Sequence, residues 1–164
     1  MGSSRAGRIR AATVADAAEI GRIHAAAWRE TYDGLLPRSV IEGQSEERRG
    51  QLWEKVMRAP NRHGTIGVFV AETGLGIAGF GSCGQQRSPA LRSKGHDGEI
   101  ATLYVLRAYQ RRRIGSDLMR TMAGALLDDG IRAMSLWVLR ENDGARRFYK
   151  RLGGTLAGVR EETL

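Results

Sequence analysis

At 164 residues, with a hydrophobic share of 41% spread along the chain, this sequence is long enough for one domain with a real core. A formal charge of +8 comes from 26 basic residues, all but Lys55, Lys94 and Lys150 arginine; it would steer anions inwards, yet no aromatic-interleaved basic stripe points to nucleic acid. No apolar run is long enough to cross a bilayer, the start MGSSRAGRIR has no signal-peptide core, and Cys83 has no partner cysteine, which together predict a cytoplasmic protein.

Residues 8–12 (RIRAA) read as a first strand. Thr13 then caps a helix, with Asp16 three positions on as a capping box. Ile20, Ile23, Ala27 and Trp28 recur at helical spacing as its buried side, and Asp33-Gly34 ends it. Pro37 starts a new turn. Ser45 with Glu46 and Glu47 opens a second helix to about Arg58, with Leu52, Trp53 and Val56 as apolar positions. Pro60 to Gly64 is a loop. Ile66, Val68 and Val70 alternate as a strand, and the turn Thr73-Gly74-Leu75-Gly76 leads into another with Ile77, Gly79, Gly81 and Cys83 on one side.

Cys83 reads there as a small buried hydrophobe. The polar stretch 85–97 reads as a mobile loop, and Glu99 to Leu106 as a central strand. A helix follows Gly115 and stops near Gly130; Ala133 to Leu139 is another strand. A short helix runs from about Asn142 to Leu152, Gly153-Gly154 stops it, and Thr155 to Glu162 forms a last strand. The order predicts an α+β fold over 1–164, one sheet with helices on both faces. His24, His63 and His96 lack ligand spacing, so no metal is expected.

The stretch Glu99 to Gly115 (EIATLYVLRAYQRRRIG) carries the most information. A strand that hands over to a helix through a loop makes an anion site, because the first-turn amides of Ile114, Gly115 and Ser116 have no intrahelical acceptor and the helix dipole adds positive charge. Arg111, Arg112 and Arg113 add formal charge at the same place, and Gly115 lets the backbone come close to a ligand. The expected ligand is a phosphate or pyrophosphate.

Gln110-Arg-Arg-Arg-Ile-Gly115 resembles the Gln/Arg-x-x-Gly-x-Gly/Ala signature of the GCN5-related N-acetyltransferases, with Arg113 at the inner glycine. The preceding LYVLRAYQ and the later NDGARRFYKRLG (142–153) resemble the family in the same order. The resemblance implies an acyl-coenzyme A N-acyltransferase fold, α/β/α with splayed central strands, whose loop wraps the pyrophosphate of acetyl-coenzyme A. It implies one further strand hairpinned to the last, which has no counterpart before Leu164; either a further piece or another chain would complete the sheet. It implies that backbone groups of Leu103, Tyr104 and Val105 pair with the pantetheine arm, with the Val105 amide as oxyanion donor.

By position, Glu99 matches the catalytic glutamate of the family's histone-acetylating branch, and period two places it with Ala101, Leu103 and Val105, absent a bulge. Its alternative is a solvated strand-end carboxylate. Other branches carry a glutamate on the following strand, where this chain has Trp137. Asn142, Arg146 and Tyr149 share a helix face, while Ala145, Phe148 and Leu152 point towards the core. The resemblance implies Tyr149 as the acid for the departing thiolate, its alternative being a tyrosine packed in an aromatic pair with Phe148, and Asn142 as a pantetheine contact, which also serves as N-cap. Trp28 and Tyr32 border the acceptor pocket in relatives, with Trp28 also readable as core.

The first reading is an enzyme that moves an acetyl group from acetyl-coenzyme A to a primary amine (a small molecule, an amino acid or a peptide N-terminus) by direct transfer in a ternary complex. The alternatives are a non-catalytic coenzyme A-binding regulatory module and, on charge alone, a nucleic-acid binder. Expected partners are acetyl-coenzyme A and an amine acceptor, with a homodimer as a candidate assembly and no membrane.

Overall fold

The computed structural model describes residues 7–162. Strand β1 (Arg8–Ala11) leads into a 3-10 turn, Val14–Asp16, held by the Thr13–Asp16 capping box, in which the Asp16 carboxylate accepts the Thr13 amide at 2.8 Å. Helix α1 (Ala17–Tyr32) follows, then short α2 (Arg38–Glu42) after Pro37 and α3 (Glu46–Arg58), whose Ser45 cap accepts the Arg48 amide. The hairpin β2 (Thr65–Thr73) and β3 (Gly76–Gln85) leads through α4 (Pro89–Ser93) to β4 (Gly98–Val105). Helix α5 (Ile114–Asp128), β5 (Met134–Ser135) and α6 (Asp143–Arg151) complete the order.

The five strands lie in sequence order, antiparallel from β1 to β4, with β5 parallel to β4. Helices α1 and α3 cover one face around Ile20, Ile23, Trp53, Val70 and Phe80. Helix α5 covers the other through Ile114, Leu118, Met122 and Leu126. The result is a mixed sheet flanked by helices, α+β as predicted.

Strict alternation fails at three places, each a bulge. Register slips between Thr65 and Gly67, between Ala71 and Glu72 opposite Ala78, and between Ser82 and Cys83 opposite Ala101. Ile66 therefore packs towards α5 while Val68 and Val70 pack towards α1, and Ile77 and Cys83 end on opposite faces rather than on one. An inserted residue reverses every side chain beyond it. The bulge at Ala101 also moves Glu99. It lies opposite Gly84, as Thr102 lies opposite Ser82 and Tyr104 opposite Phe80, so it shares their face and not that of Leu103 and Val105.

Four further expectations change. Residues 85–97 are not a loose loop: Ser88 caps α4 with Pro89 in its first turn, and Leu91 and Gln86 are buried. The strand expected over 133–139 keeps only two paired residues, Met134 and Ser135. Beyond them the chain leaves β4, so Thr155–Glu162 has no ladder to join and is exposed and unpaired instead of forming a strand. Leu152, expected to point towards the core, is exposed.

Candidate functional site

Two features of β4 open its outer edge. Its pairing with β5 stops after Gly98↔Met134 and Glu99↔Ser135, so the strands part over Leu103 to Val105. On the other side, the Leu106 amide donates to Ala78 O at 2.9 Å. Alternation in an antiparallel ladder then turns the amides of Tyr104 and Thr102 towards β3, and those of Leu103 and Val105 into the gap. A backbone edge with free donors can pair with an amide-containing chain laid along it.

The gap leads to the start of α5. A 3-10 turn, Arg107–Tyr109, follows β4; Gln110 Nε2 donates to Val105 O at 3.1 Å, and Glu30 of α1 accepts the Arg107 amide. Arg111 and Arg113 then adopt left-handed backbone, with φ of 63° and 65°. Arg113 occupies the N-cap position with no side-chain cap bond, so the first-turn amides are left for an outside acceptor. All three arginines are exposed, and Arg112 lies 5.5 Å from the centre of the Tyr109 ring. At Gly115 the close approach is internal: an added Cβ would meet the Phe148 ring of α6 at 3.2 Å. The missing side chain lets α6 pack against the start of α5.

Glu99 is 4% exposed, which removes the solvated strand-end alternative. Both of its oxygens bind Arg87, Oε2 to Nε at 2.8 Å and Oε1 to Nη2 at 3.1 Å. Between Glu99 and Tyr104 the same face carries Ser82 and Thr102, whose hydroxyls are 2.8 Å apart.

The far end of this face is aromatic. Trp28 Nε1 donates to the Tyr104 hydroxyl at 2.9 Å, and the Trp28 and Tyr32 rings lie 4.6 Å apart. Trp28 is therefore half-buried at this cluster and not sealed in the core. Burial pushes up the phenols of Tyr32, Tyr104 and Tyr149, Tyr149 to about 12, with Tyr32 adding to the rise at both of the others. Behind Tyr104 lies His24, stacked on it at 5.0 Å, with Nδ1 accepting from Trp53 Nε1 at 3.0 Å. Burial, helped by the charge of Arg49, pushes the His24 imidazole down to about 3.

On α6, Asn142 Oδ1 accepts the Ala145 amide at 3.2 Å as an N-cap, and its Nδ2 keeps its donors. Trp137 lies under the Arg160 guanidinium, 3.8 Å from ring centre. The structure thus gathers Trp28, Tyr32 and Tyr104, pairs Tyr149 with Phe148 at 5.2 Å between ring centres, and places Glu99 further along the same sheet face as Tyr104. The Tyr104 side chain and Arg87 were missed from sequence. Locating the bulge would have pointed to the first; nothing local pairs Arg87 with Glu99. Among the described residues, no cluster of His, Cys, Asp or Glu is gathered to hold a metal, and no helix is long and apolar enough to cross a membrane.

Comparison with known proteins agrees with this geometry. The model of the acetyltransferase (GNAT) family matches residues 20–154. The uncharacterized N-acetyltransferase YuaI of Bacillus subtilis (strain 168) is 30% identical over 135 residues, 82% of this chain and 72% of that protein. Among solved structures, the PaiA N-acetyltransferase of Thermoplasma acidophilum in complex with coenzyme A has a TM-score of 0.73 at 20% identity, covering 88% of this chain and 87% of its own. A GCN5-related N-acetyltransferase from Ralstonia eutropha JMP134 reaches 0.72 at 19% identity, covering 96% and 97%. These two likenesses show the fold.

Proposed function

The chain belongs to the GNAT acetyltransferase family and is an acyltransferase; from that premise we propose that it moves the acetyl group of acetyl-coenzyme A onto a primary amine by direct transfer in a ternary complex. The observation that carries the reading is the continuous track of free donors, from the open β4 edge to the uncapped start of α5. A pantetheine arm followed by a pyrophosphate matches that track in polarity and order. Arg111, Arg112, Arg113 and the amides of Ile114, Gly115 and Ser116 hold the phosphates. The edge groups of Leu103 and Val105, with Asn142 Nδ2, hold the arm; the Tyr104 backbone, expected to join them, is turned to β3.

The residues then divide the chemistry. Glu99 takes one proton from the acceptor's ammonium, directly or through water, because only the neutral nitrogen has a lone pair. As nitrogen bonds to the thioester carbon, the Val105 amide donates to the carbonyl oxygen gaining charge, a contribution of roughly 3–4 kcal/mol in other enzymes. When the carbon–sulfur bond breaks, Tyr149 gives its proton to sulfur. A phenol at about 12 is a weaker acid than a thiol at about 8.5, so Tyr149 works as a relay, regaining a proton from nitrogen as it gives one up. The products are an amide, a thiol and the proton left on Glu99. Trp28 and Tyr32 line the acceptor side.

The test is thiol release from acetyl-coenzyme A across a panel of primary amines. Release that depends on the amine is expected. Release indifferent to the amine, or none with any, would reject the reading.

A further inference from the structure

The Arg87–Glu99 pair is lopsided. The Glu99 side chain is 6% exposed and the Arg87 side chain 69% exposed, although their charged ends meet in a two-bond fork. The arginine stem therefore runs through solvent and delivers its guanidinium to a carboxylate otherwise walled off, which means an opening leads to Glu99. The root of that arm is fixed. Gln86 is 1% exposed, donates to Gly98 O at 3.1 Å and to Ser135 Oγ, and accepts the Ser88 amide at 3.1 Å. The tip is held only by Glu99, which is its one hydrogen-bond partner among the described residues.

An exposed arginine loses little when it swings into water, whereas a buried carboxylate stripped of its cation is strongly destabilised. Whatever displaces Arg87 must therefore bring a positive charge to Glu99. The amine acceptor of the proposed reaction does so.

We propose that Arg87 is a placeholder for the acceptor's cation: its guanidinium fills the subsite at Glu99 that the acceptor's ammonium enters, and the two exchange. The Arg87 side chain also outlines the substrate class, a terminal cation on an unbranched aliphatic arm, such as a diamine or a lysine-like side chain. An ammonium is smaller than a guanidinium and passes the same opening. A branched α-amine does not match the arm. This inference rests on the transfer reading above, so its test includes a readout that needs no turnover.

The test combines kinetics with 1,4-diaminobutane and binding of n-propylguanidine, the arginine tip cut free. Removing the competitor in Arg87→Ala should lower KM for the diamine at least about threefold, the effect falling on KM rather than kcat. Arg87→Lys, which cannot fork both oxygens, should lower it less and keeps the test open should the alanine variant fail to fold. Propylguanidine should raise the melting temperature of Arg87→Ala, and not that of the same protein carrying Glu99→Gln.

A KM unchanged or raised in well-folded Arg87→Ala and Arg87→Lys would overturn the placeholder, as would propylguanidine stabilisation indifferent to Glu99. Glu99-dependent propylguanidine binding in a protein that acetylates no amine would support the subsite and reject the transfer reading.

Discussion

Arg113 allows charge and backbone strain to be separated. It holds left-handed backbone, φ 65°, at the start of α5, where the family signature has glycine. For a residue with a Cβ that conformation costs roughly 1–2 kcal/mol. Glycine gives back about 0.5–1 kcal/mol through its freer unfolded chain. Arg113→Gly should therefore be more stable than Arg113→Ala by about 1 kcal/mol, or roughly 2–4 °C in Tm at this length. Both variants lose the same charge. Because the guanidinium is exposed, each should weaken coenzyme A by no more than about fivefold, an effect that shrinks as salt is added. Thermal melts and calorimetric titration at low and high salt read the two effects separately. An alanine variant melting with or above the glycine variant would refute the strained loop; an unmoved Kd in both would refute the phosphate contact.

Glu99→Gln should lower kcat by about 10²-fold or more while coenzyme A affinity holds, with the deficit largest at low pH, where more acceptor arrives as ammonium; a wild-type pH–rate profile would remove Glu99 as the base. Tyr149→Phe should lower kcat and leave coenzyme A binding intact, and its folded protein should lose less stability between pH 10 and about 12. Over that window the unfolded phenol ionises while the buried one does not, so wild-type stability falls as pH rises. Denaturant melts at alkaline pH check the second effect and turnover the first. His24, held neutral down to about pH 3, meets an unfolded form that protonates near 6.5, so stability should fall by roughly 1.4 kcal/mol per pH unit as pH drops through that interval. His24→Gln keeps an acceptor for Trp53 and should flatten the slope in urea unfolding; an equal slope would contradict it.

What the sequence made legible was local. The Thr13–Asp16 box, the Ser45 cap, the helix periods of α1 and α3, and the passage from β4 through the arginines into α5 all depend on residues within a few positions of one another. What escaped was decided across the sheet. The bulge at Ala101 is visible only in the register against β3, and it moves Glu99 onto the face of Thr102 and Tyr104. The Arg87–Glu99 fork joins residues twelve positions apart through a connection that looks like polar loop, yet is pinned by buried Gln86. The expected strand over 155–162 had a plausible composition and no neighbour to pair with, since β5 pairs for only two residues. Tyr104 shows both levels: its backbone place in β4 followed from the sequence, while its phenol's meeting with Trp28 needed the fold.

All of the proposed chemistry requires a pyrophosphate-bearing thioester carrier along the open β4 edge, with its phosphates at the start of α5. Calorimetric titration of the protein with acetyl-coenzyme A tests it most directly. Saturable binding is expected, one carrier per chain, weakened in Arg112→Ala and Arg113→Ala. No heat with acetyl-coenzyme A or with coenzyme A itself would contradict it.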